Sequence, residues 1–170
     1  MAANFTATGS DTYPAGIASG SAFMAGTGGG TSHQGSTTGF QQRILSTVFW
    51  EDSCLVTLSS NAFTFDAVGT YVILGTGGVY NSNRHIIKLQ YDSTVVSYGT
   101  CEYTGSGVMT RSFVTGRAVI ASGEQTGGGS VKTFSLYTGV QTAVGGNGHG
   151  VDSTHTTDEQ YTTCTIKKIG

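Results

Sequence analysis

The chain has 170 residues, of which only 11% are charged, and its formal net charge is −2. Aliphatic and aromatic residues make up 37%, and 27 glycines with many serines and threonines replace the missing charges. This composition excludes a highly charged disordered chain and a helical protein rich in Leu, Lys and Glu, and it is typical of β-rich proteins with many turns. The eight Lys and Arg residues form no run, so we expect no nucleic-acid partner.

The N-terminal sequence carries no sign of export. Its first residues lack the basic region and the apolar core of a signal peptide, and no apolar run approaches the roughly 20 residues of a membrane helix. We therefore expect a protein that is made in the cytosol and has no membrane partner.

Residues 1–42 form one compositional unit, in which Asp11 is the only charged residue and Gly28–Gly30 lie near the centre. A flexible linker is one interpretation, because Gly/Ser/Thr segments bury little apolar surface. The other is an extended arm that becomes ordered on a partner protein. We favour the arm, since an inert tether needs no spaced apolar anchors. The candidate anchors are Phe5, Tyr13, Ile17, Phe23, Met24 and Phe40.

From residue 43 onward, strand signals recur at short intervals. The segment Phe63–Tyr80 predicts a short strand, a turn at Asp66–Gly69 and a long strand, whose Thr70–Leu74 portion is apolar enough for burial on both faces. Regular spacing without a helical period predicts an all-β antiparallel sandwich or barrel. The predicted strands span residues 44–50, 54–58, 63–65, 70–74, 84–91, 95–103, 111–121, 131–140 and 160–169.

The three cysteines, Cys54, Cys101 and Cys164, each lie in a strand-like run. Their number is odd, and no two have the spacing of a metal knuckle. We expect small buried apolar side chains. One disulfide with a spare thiol is the alternative, and the sequence alone leaves the redox state open.

The strand region, over about residues 44–170, resembles the C1q/TNF-like jelly-roll domain. The resemblance lies in Phe63–Phe65 followed by Gly69–Ile73, in Phe134–Tyr137 before the last loop, and in the closing strand Cys164–Ile169. It implies a homotrimer in which apolar and aromatic strand faces pack about a threefold axis. With the compositional change near residue 42, we expect a division into an arm, residues 1–42, and a jelly-roll domain, residues 43–170. The residues expected in the core or at the trimer axis are Trp50, Phe63, Phe65, Tyr71, Ile73, Phe134 and Ile166.

Chemically reactive motifs are weak in this sequence. No Gly-x-Ser-x-Gly elbow accompanies the available Ser, His and Asp residues, so we expect no enzyme and no cofactor. The loop with His149, Asp152 and His155 holds ligand types for a cation, but its spacing matches no defined site, and a solvated polar loop is favoured. We expect His85 to be packed among strand residues.

The resemblance extends to virion proteins of tailed bacteriophages, in which this fold occurs in capsid decoration proteins, head fibres and fibre tips. We therefore expect a trimeric capsid decoration or cement protein on the capsid surface, made in the host cytoplasm, with the major capsid protein as its partner. One alternative is a fibre tip that binds a glycan on the host surface, through loops near Tyr98, Tyr103 and Tyr137. The other is a cellular C1q-like binding module.

Overall fold

The computed structural model of the chain describes residues 22–26, 38–45, 47–52, 56–142, 149 and 162–170. These residues form β-strands joined by turns, and no helix among them is long and apolar enough to cross a membrane. The strands are β1 (Ala22–Gly26), β2 (Gly39–Gln42), β3 (Thr47–Asp52), β4 (Val56–Ser59), β5 (Ala62–Phe65), β6 (Gly69–Tyr80), β7 (Asn83–Tyr91), β8 (Thr94–Thr104), β9 (Met109–Ile120), β10 (Phe134–Val140) and β11 (Thr162–Lys168).

The strands form two antiparallel sheets. The first sheet has the order β3-β1-β11-β6-β9, and the second has the order β4-β5-β10-β7-β8, with β2 pairing to β10 as well. Strands that follow each other in the chain often lie in different sheets, so the chain crosses repeatedly between the two layers. The all-β antiparallel sandwich that the sequence predicts is confirmed.

Period-two sequence patterns locate several strands to within a residue or two. Residues 84–91 were predicted as a strand, and β7 begins one residue earlier and ends at the same place. The predicted turn before β6 is also present, and Gly69 has a φ of 152°. β6 runs on through Tyr80 because Gly75, Gly77 and Gly78 all pair with β9 rather than forming a loop.

Residues 22–26 and 39–42, which were assigned to an extended arm, lie in strands of the sandwich. β1 pairs with β11 on one side and with β3 on the other, so the backbone of AFMAG has ladder partners on both edges. β2 pairs with β10 through residues 39–42. The sheets therefore extend N-terminally of the boundary expected at residue 43, and Phe23 and Met24 lie on an interior strand instead of a free arm.

Aromatic rings fill the centre of the sandwich. Phe63 and Phe65 from β5, Tyr71 from β6 and Phe134 from β10 are almost fully buried and lie in ring contact with one another. Their alternation with outward-facing residues follows from the two-residue period of strands. Of the other residues expected in the core or at a trimer axis, Ile73 and Ile166 are buried here, and the side chain of Trp50 lies outside the described part of the structure.

Two glycines permit close approach between elements. A Cβ on Gly75 would lie 2.6 Å from Leu136 Cδ2, so the missing side chain leaves room for a leucine from the opposite sheet. A Cβ on Gly99 would overlap the backbone carbonyl of Phe113, and the Phe113 N–H donates to Thr100 Oγ1 at 3.0 Å. The second glycine thus lets β8 of the second sheet lie directly against β9 of the first, which closes that side of the sandwich.

Candidate functional site

The outer face of the first sheet carries exposed apolar side chains. Along β6, Tyr71 and Ile73 point into the core, whereas Leu74 is 44% exposed on the opposite face. Phe113 is 48% exposed on β9, and the strand register makes it a diagonal neighbour of Leu74. We refer to Leu74, Phe113 and the exposed Val119 as the apolar face. Burial on both faces is expected for residues 70–74, but in the described part of the chain Leu74 is exposed and only the face with Tyr71 and Ile73 is buried.

The outer face of the second sheet carries a cluster of rings around one lysine. Lys88 Nζ lies 4.3 Å from the ring centroid of Phe40 and 5.0 Å from that of Tyr137. Tyr98, which is 59% exposed, lies with its ring centroid 6.4 Å from that of Phe40. Residues 137, 88 and 98 pair in succession across β10, β7 and β8. We refer to Phe40, Lys88, Tyr98 and Tyr137 as the aromatic platform.

A groove of about 480 Å³ lies beside the aromatic platform on the same sheet. Apart from Ala62, its lining side chains carry hydroxyl, amide or carboxyl groups. Gln42 Nε2 bridges one wall by donating to Ser135 Oγ and to the Asn61 carbonyl, each at 3.2 Å. We refer to this feature as the hydroxyl groove, and its main polar residues are Gln42, Thr57, Thr64, Asp92, Thr133 and Ser135.

Arg43 is a cation buried at one end of the sandwich. Its side chain is only 1% exposed, its Nε donates to Thr162 Oγ1 at 2.7 Å, and its guanidinium also donates to the His149 carbonyl at 2.9 Å. Burial lowers the pKa of Arg43 from 12.5 to about 10, because the apolar surroundings disfavour the charged form. Arg43 thus joins β11 and the backbone carbonyl of His149 to the strand region that begins near β2, which is a structural role.

His85 forms a buried polar cluster between the sheets. Its Nε2 lies 2.6 Å from Thr110 Oγ1, and its Nδ1 lies 2.7 Å from Ser112 Oγ. A serine next to a histidine is a motif of hydrolases, but Ser112 is completely buried and no substrate carbonyl can reach it. The arrangement holds strands together, in agreement with the expectation that His85 is a packed residue.

The His85 cluster predicts a pH-dependent stability. Burial lowers the pKa of His85 below 6.5, and the nearby Glu102 carboxylate offsets part of that shift. Above pH 6.5 the imidazole is neutral in both the folded and the unfolded state. As the pH falls below 6.5, the unfolded chain takes up a proton first, so the free energy of unfolding decreases until the folded-state pKa is passed. We expect a lower urea midpoint at pH 5.0 than at pH 7.5.

The control for this pH effect is the variant His85→Gln, which has no titrating group at this position. The drop in urea midpoint between pH 7.5 and pH 5.0 should be smaller in the variant than in the unaltered chain. Equal drops in the two proteins would show that His85 does not contribute to the pH dependence.

The candidate cation ligands are not brought together in the described part of the chain. Asp152 and His155 lie outside it, and the backbone carbonyl of His149 is bound by Arg43. Among the described residues, no three His, Cys, Asp or Glu side chains are close enough to hold a metal ion. Whether His149, Asp152 and His155 form a solvated polar loop or bind a cation therefore remains at the level of the sequence-based expectation, which favours the solvated loop.

The described cysteines differ in environment. Cys164 is buried in the core, where desolvation raises the pKa of its thiol above the usual range. Cys101 is a free thiol on the exposed face of β8, so the expectation of burial is wrong for this residue. The strand predicted around Cys101 is present as β8. The Cys101 side chain nevertheless faces solvent, because Cys101 pairs with residue 86 at a position whose side chains lie on the outer face of the sheet. Cys54 lies outside the described residues.

The remaining arm candidates are placed only in part. Phe5, Tyr13 and Ile17 lie outside the described residues, and the side chains of Phe23 and Met24 do as well. Phe40 is exposed and belongs to the aromatic platform. The sequence pattern does not predict the platform or the hydroxyl groove, because their residues come from strands that are far apart in the chain. Of these residues it indicates Phe40, as an arm anchor, and Tyr98 and Tyr137, near loops.

Comparison with solved structures identifies the type of sandwich. The globular domain of the zebrafish complement 1qA protein is similar with a TM-score of 0.52 at 12% identity, over 88% of this chain and 97% of that one. Crystal structures of murine APRIL at pH 8.0 and pH 5.0 give TM-scores of 0.50 and 0.52 at 6% identity, over 86% of this chain and 98% of theirs. No family model and no curated protein matches the sequence. The fold is a C1q/TNF-like jelly roll.

Proposed function

We propose that this C1q/TNF-like jelly roll is a virion structural protein of a tailed bacteriophage, which trimerises and decorates the capsid. The apolar face is the observation that supports trimer formation. Residues 70–74 are rich in aliphatic and aromatic side chains on both sides of the strand, yet one chain covers only the side with Tyr71 and Ile73. A second copy of the chain would bury Leu74 and Phe113, which are costly to leave in water.

Composition supports a structural and not a catalytic role. Charged residues are few, and the His–Ser contact described above is closed to substrates. We infer a protein without enzymatic activity that acts by adding buried area across neighbouring subunits of the major capsid protein. Each added contact stabilises the assembled shell relative to its separated parts. The proposed location is the capsid surface, after synthesis in the host cytoplasm.

The N-terminal segment is the proposed capsid contact, and the fold limits how much of it is free for this role. β1 begins at Ala22 and is paired on both edges, so a deletion that reaches residue 40 removes a strand of the first sheet. Removal of residues 2–20 leaves both β1 and β2 intact. The anchors that remain candidates for the capsid contact are Phe5, Tyr13 and Ile17.

Capsid binding tests this proposal directly. Capsids from a phage that lacks the gene are mixed with the full-length chain or with the chain lacking residues 2–20, and bound protein is measured by co-sedimentation. We expect the full-length chain to sediment with capsids and the truncated chain to stay in the supernatant, because the truncated chain lacks the apolar anchors. Both should have the mass of three of their own chains by light scattering, which serves as the folding control.

Each failure has a separate meaning. Full occupancy by the truncated chain would show that residues 2–20 are not the capsid contact. Absence of binding by the full-length chain would contradict the decoration role, and the fibre tip would replace it as the leading proposal. The aromatic platform, with the exposed Tyr98 and Phe40, is the observation that favours this second candidate.

A further inference from the structure

The hydroxyl groove and the aromatic platform form one continuous surface. Ser135 lines the groove and Tyr137, two residues further along β10, points to the same side of the sheet. Gln42 also lines the groove, and it pairs with Tyr137 in the register of β2 and β10. Going across the sheet, Lys88 and then Tyr98 follow Tyr137. With neighbouring strands about 4.8 Å apart, the platform extends the groove by roughly 10 Å.

The groove has the chemistry to bind hydroxyl groups and to discriminate against anions. Its lining includes the side-chain hydroxyls of Thr64 and Thr133, which can donate or accept hydrogen bonds. The hydroxyl of Thr57, also in the lining, donates to the Asp66 carboxylate and can accept from a ligand. No Lys, Arg or His is among the lining residues that the structure describes, and Asp92 contributes a carboxylate. Inside the groove, a phosphate, a sulfate or a sialic acid would meet the Asp92 carboxylate without a cation among the described lining residues, since the Lys88 ammonium lies on the platform. An uncharged polyol ligand would meet paired donors and acceptors.

The aromatic platform supplies the apolar part of such a site. The two faces of a sugar ring differ, and its C–H groups pack against aromatic rings while its hydroxyls bind polar groups at the edge. Tyr98 is 59% exposed, so one face of its ring is open to a ligand. Lys88 is held against Phe40 and Tyr137, which keeps its alkyl chain and ammonium in a defined position at the centre.

We propose that the outer face of the second sheet binds an uncharged oligosaccharide, with one sugar in the hydroxyl groove and the following sugars on the aromatic platform. This activity is additional to the decoration role, and it lies on the sheet opposite to the apolar face used for trimer formation. The juxtaposition of a polar groove with open aromatic rings is the observation that carries the proposal.

Binding is tested with the full-length chain and an array of uncharged oligosaccharides of three to six sugars, built from glucose, galactose, mannose and N-acetylglucosamine, beside sialylated and sulfated forms. We expect at least one uncharged oligosaccharide to bind. The sialylated or sulfated form of the same oligosaccharide should bind more weakly. Saturation-transfer NMR on the best compound measures affinity in solution. Capsids are not used, so failure of the decoration role does not affect the result.

Two variants with matched controls locate the site. Asp92→Asn removes a charged acceptor and should weaken binding about tenfold, since hydrogen bonds to a charged group contribute more than about 1.4 kcal/mol. Its control is Glu102→Gln, which removes an exposed carboxylate on β8 that does not line the groove. Tyr98→Ala should weaken binding about fivefold through loss of ring packing. Its control is Tyr103→Ala, on the same strand and equally open to solvent, which should change affinity by less than about twofold.

The proposal has defined contrary results. No binding of any uncharged oligosaccharide would overturn it, and so would preferential binding of the sialylated or sulfated compounds. Binding that is unchanged in both Asp92→Asn and Tyr98→Ala would place the site elsewhere. Because these side chains are at the surface, the variants should keep the urea midpoint of the unaltered chain, and this measurement separates loss of binding from loss of folding.

Discussion

Replacing Phe65 with alanine is expected to lower the free energy of unfolding by about 3–5 kcal/mol. Phe65 is completely buried, and its ring centroid lies 4.1 Å from that of Tyr71 and 5.3 Å from that of Phe134. The variant loses the transfer free energy of the ring and leaves a cavity that the neighbouring rings, each held on a different strand, fill only in part. Typical domains have 5–15 kcal/mol of stability, so the loss would be a large fraction of the total.

The measurement is urea unfolding followed by tryptophan fluorescence, at one protein concentration because assembly also stabilises the folded state. The matched control is Thr64→Ala, at the preceding position on the opposite face of β5, where the hydroxyl contacts only Thr126 Oγ1 at the surface. Its cost should be below about 1 kcal/mol. A loss of under 1 kcal/mol in Phe65→Ala would contradict the assignment of this ring cluster as the centre of the core.

Replacing Leu74 with aspartate is expected to convert the proposed trimer into monomers. In the proposed assembly, each copy buries Leu74, and burial of such a side chain contributes about 1.5–3 kcal/mol. A carboxylate at the same place would have to be desolvated without a cation partner, which adds several kcal/mol of cost per copy. Because threefold symmetry would repeat this cost in each of the three interfaces, the substitution should abolish trimer formation at micromolar concentration.

Sedimentation equilibrium gives the molar mass, and far-UV circular dichroism shows whether the sheets are intact. Val108→Asp is the matched control, since Val108 is 47% exposed in the loop between β8 and β9, outside the set of residues that form the apolar face. It should remain a trimer. A monomeric unaltered chain would contradict trimer formation itself, whereas a trimeric Leu74→Asp would show that the interface lies on another surface of the sandwich.

The alternation of apolar and polar residues was enough to predict most of the strands. It did not predict strands whose sequences lack this alternation. β7 alternates cleanly between apolar and polar residues, and its predicted limits are correct to within one residue. β1 has the sequence AFMAG, with no alternation and three residues of low strand propensity, and its pairing depends on β3 and β11 on either side. The glycines of β6 similarly obscured a strand that continues because β9 and β11 pair with it.

The sequence by itself determined the all-β class, the turn before β6 and the aromatic content of the core, because a two-residue period and a glycine at a reversal are local properties of the chain. Only the tertiary structure decided which apolar residues stay exposed and which polar ones meet. Asp92 and Thr57 line the same groove although 35 positions separate them, and Leu74 is exposed although its neighbour Ile73 is buried. Such positions depend on strand order and register between distant segments, and these are set by the packing of the whole sandwich.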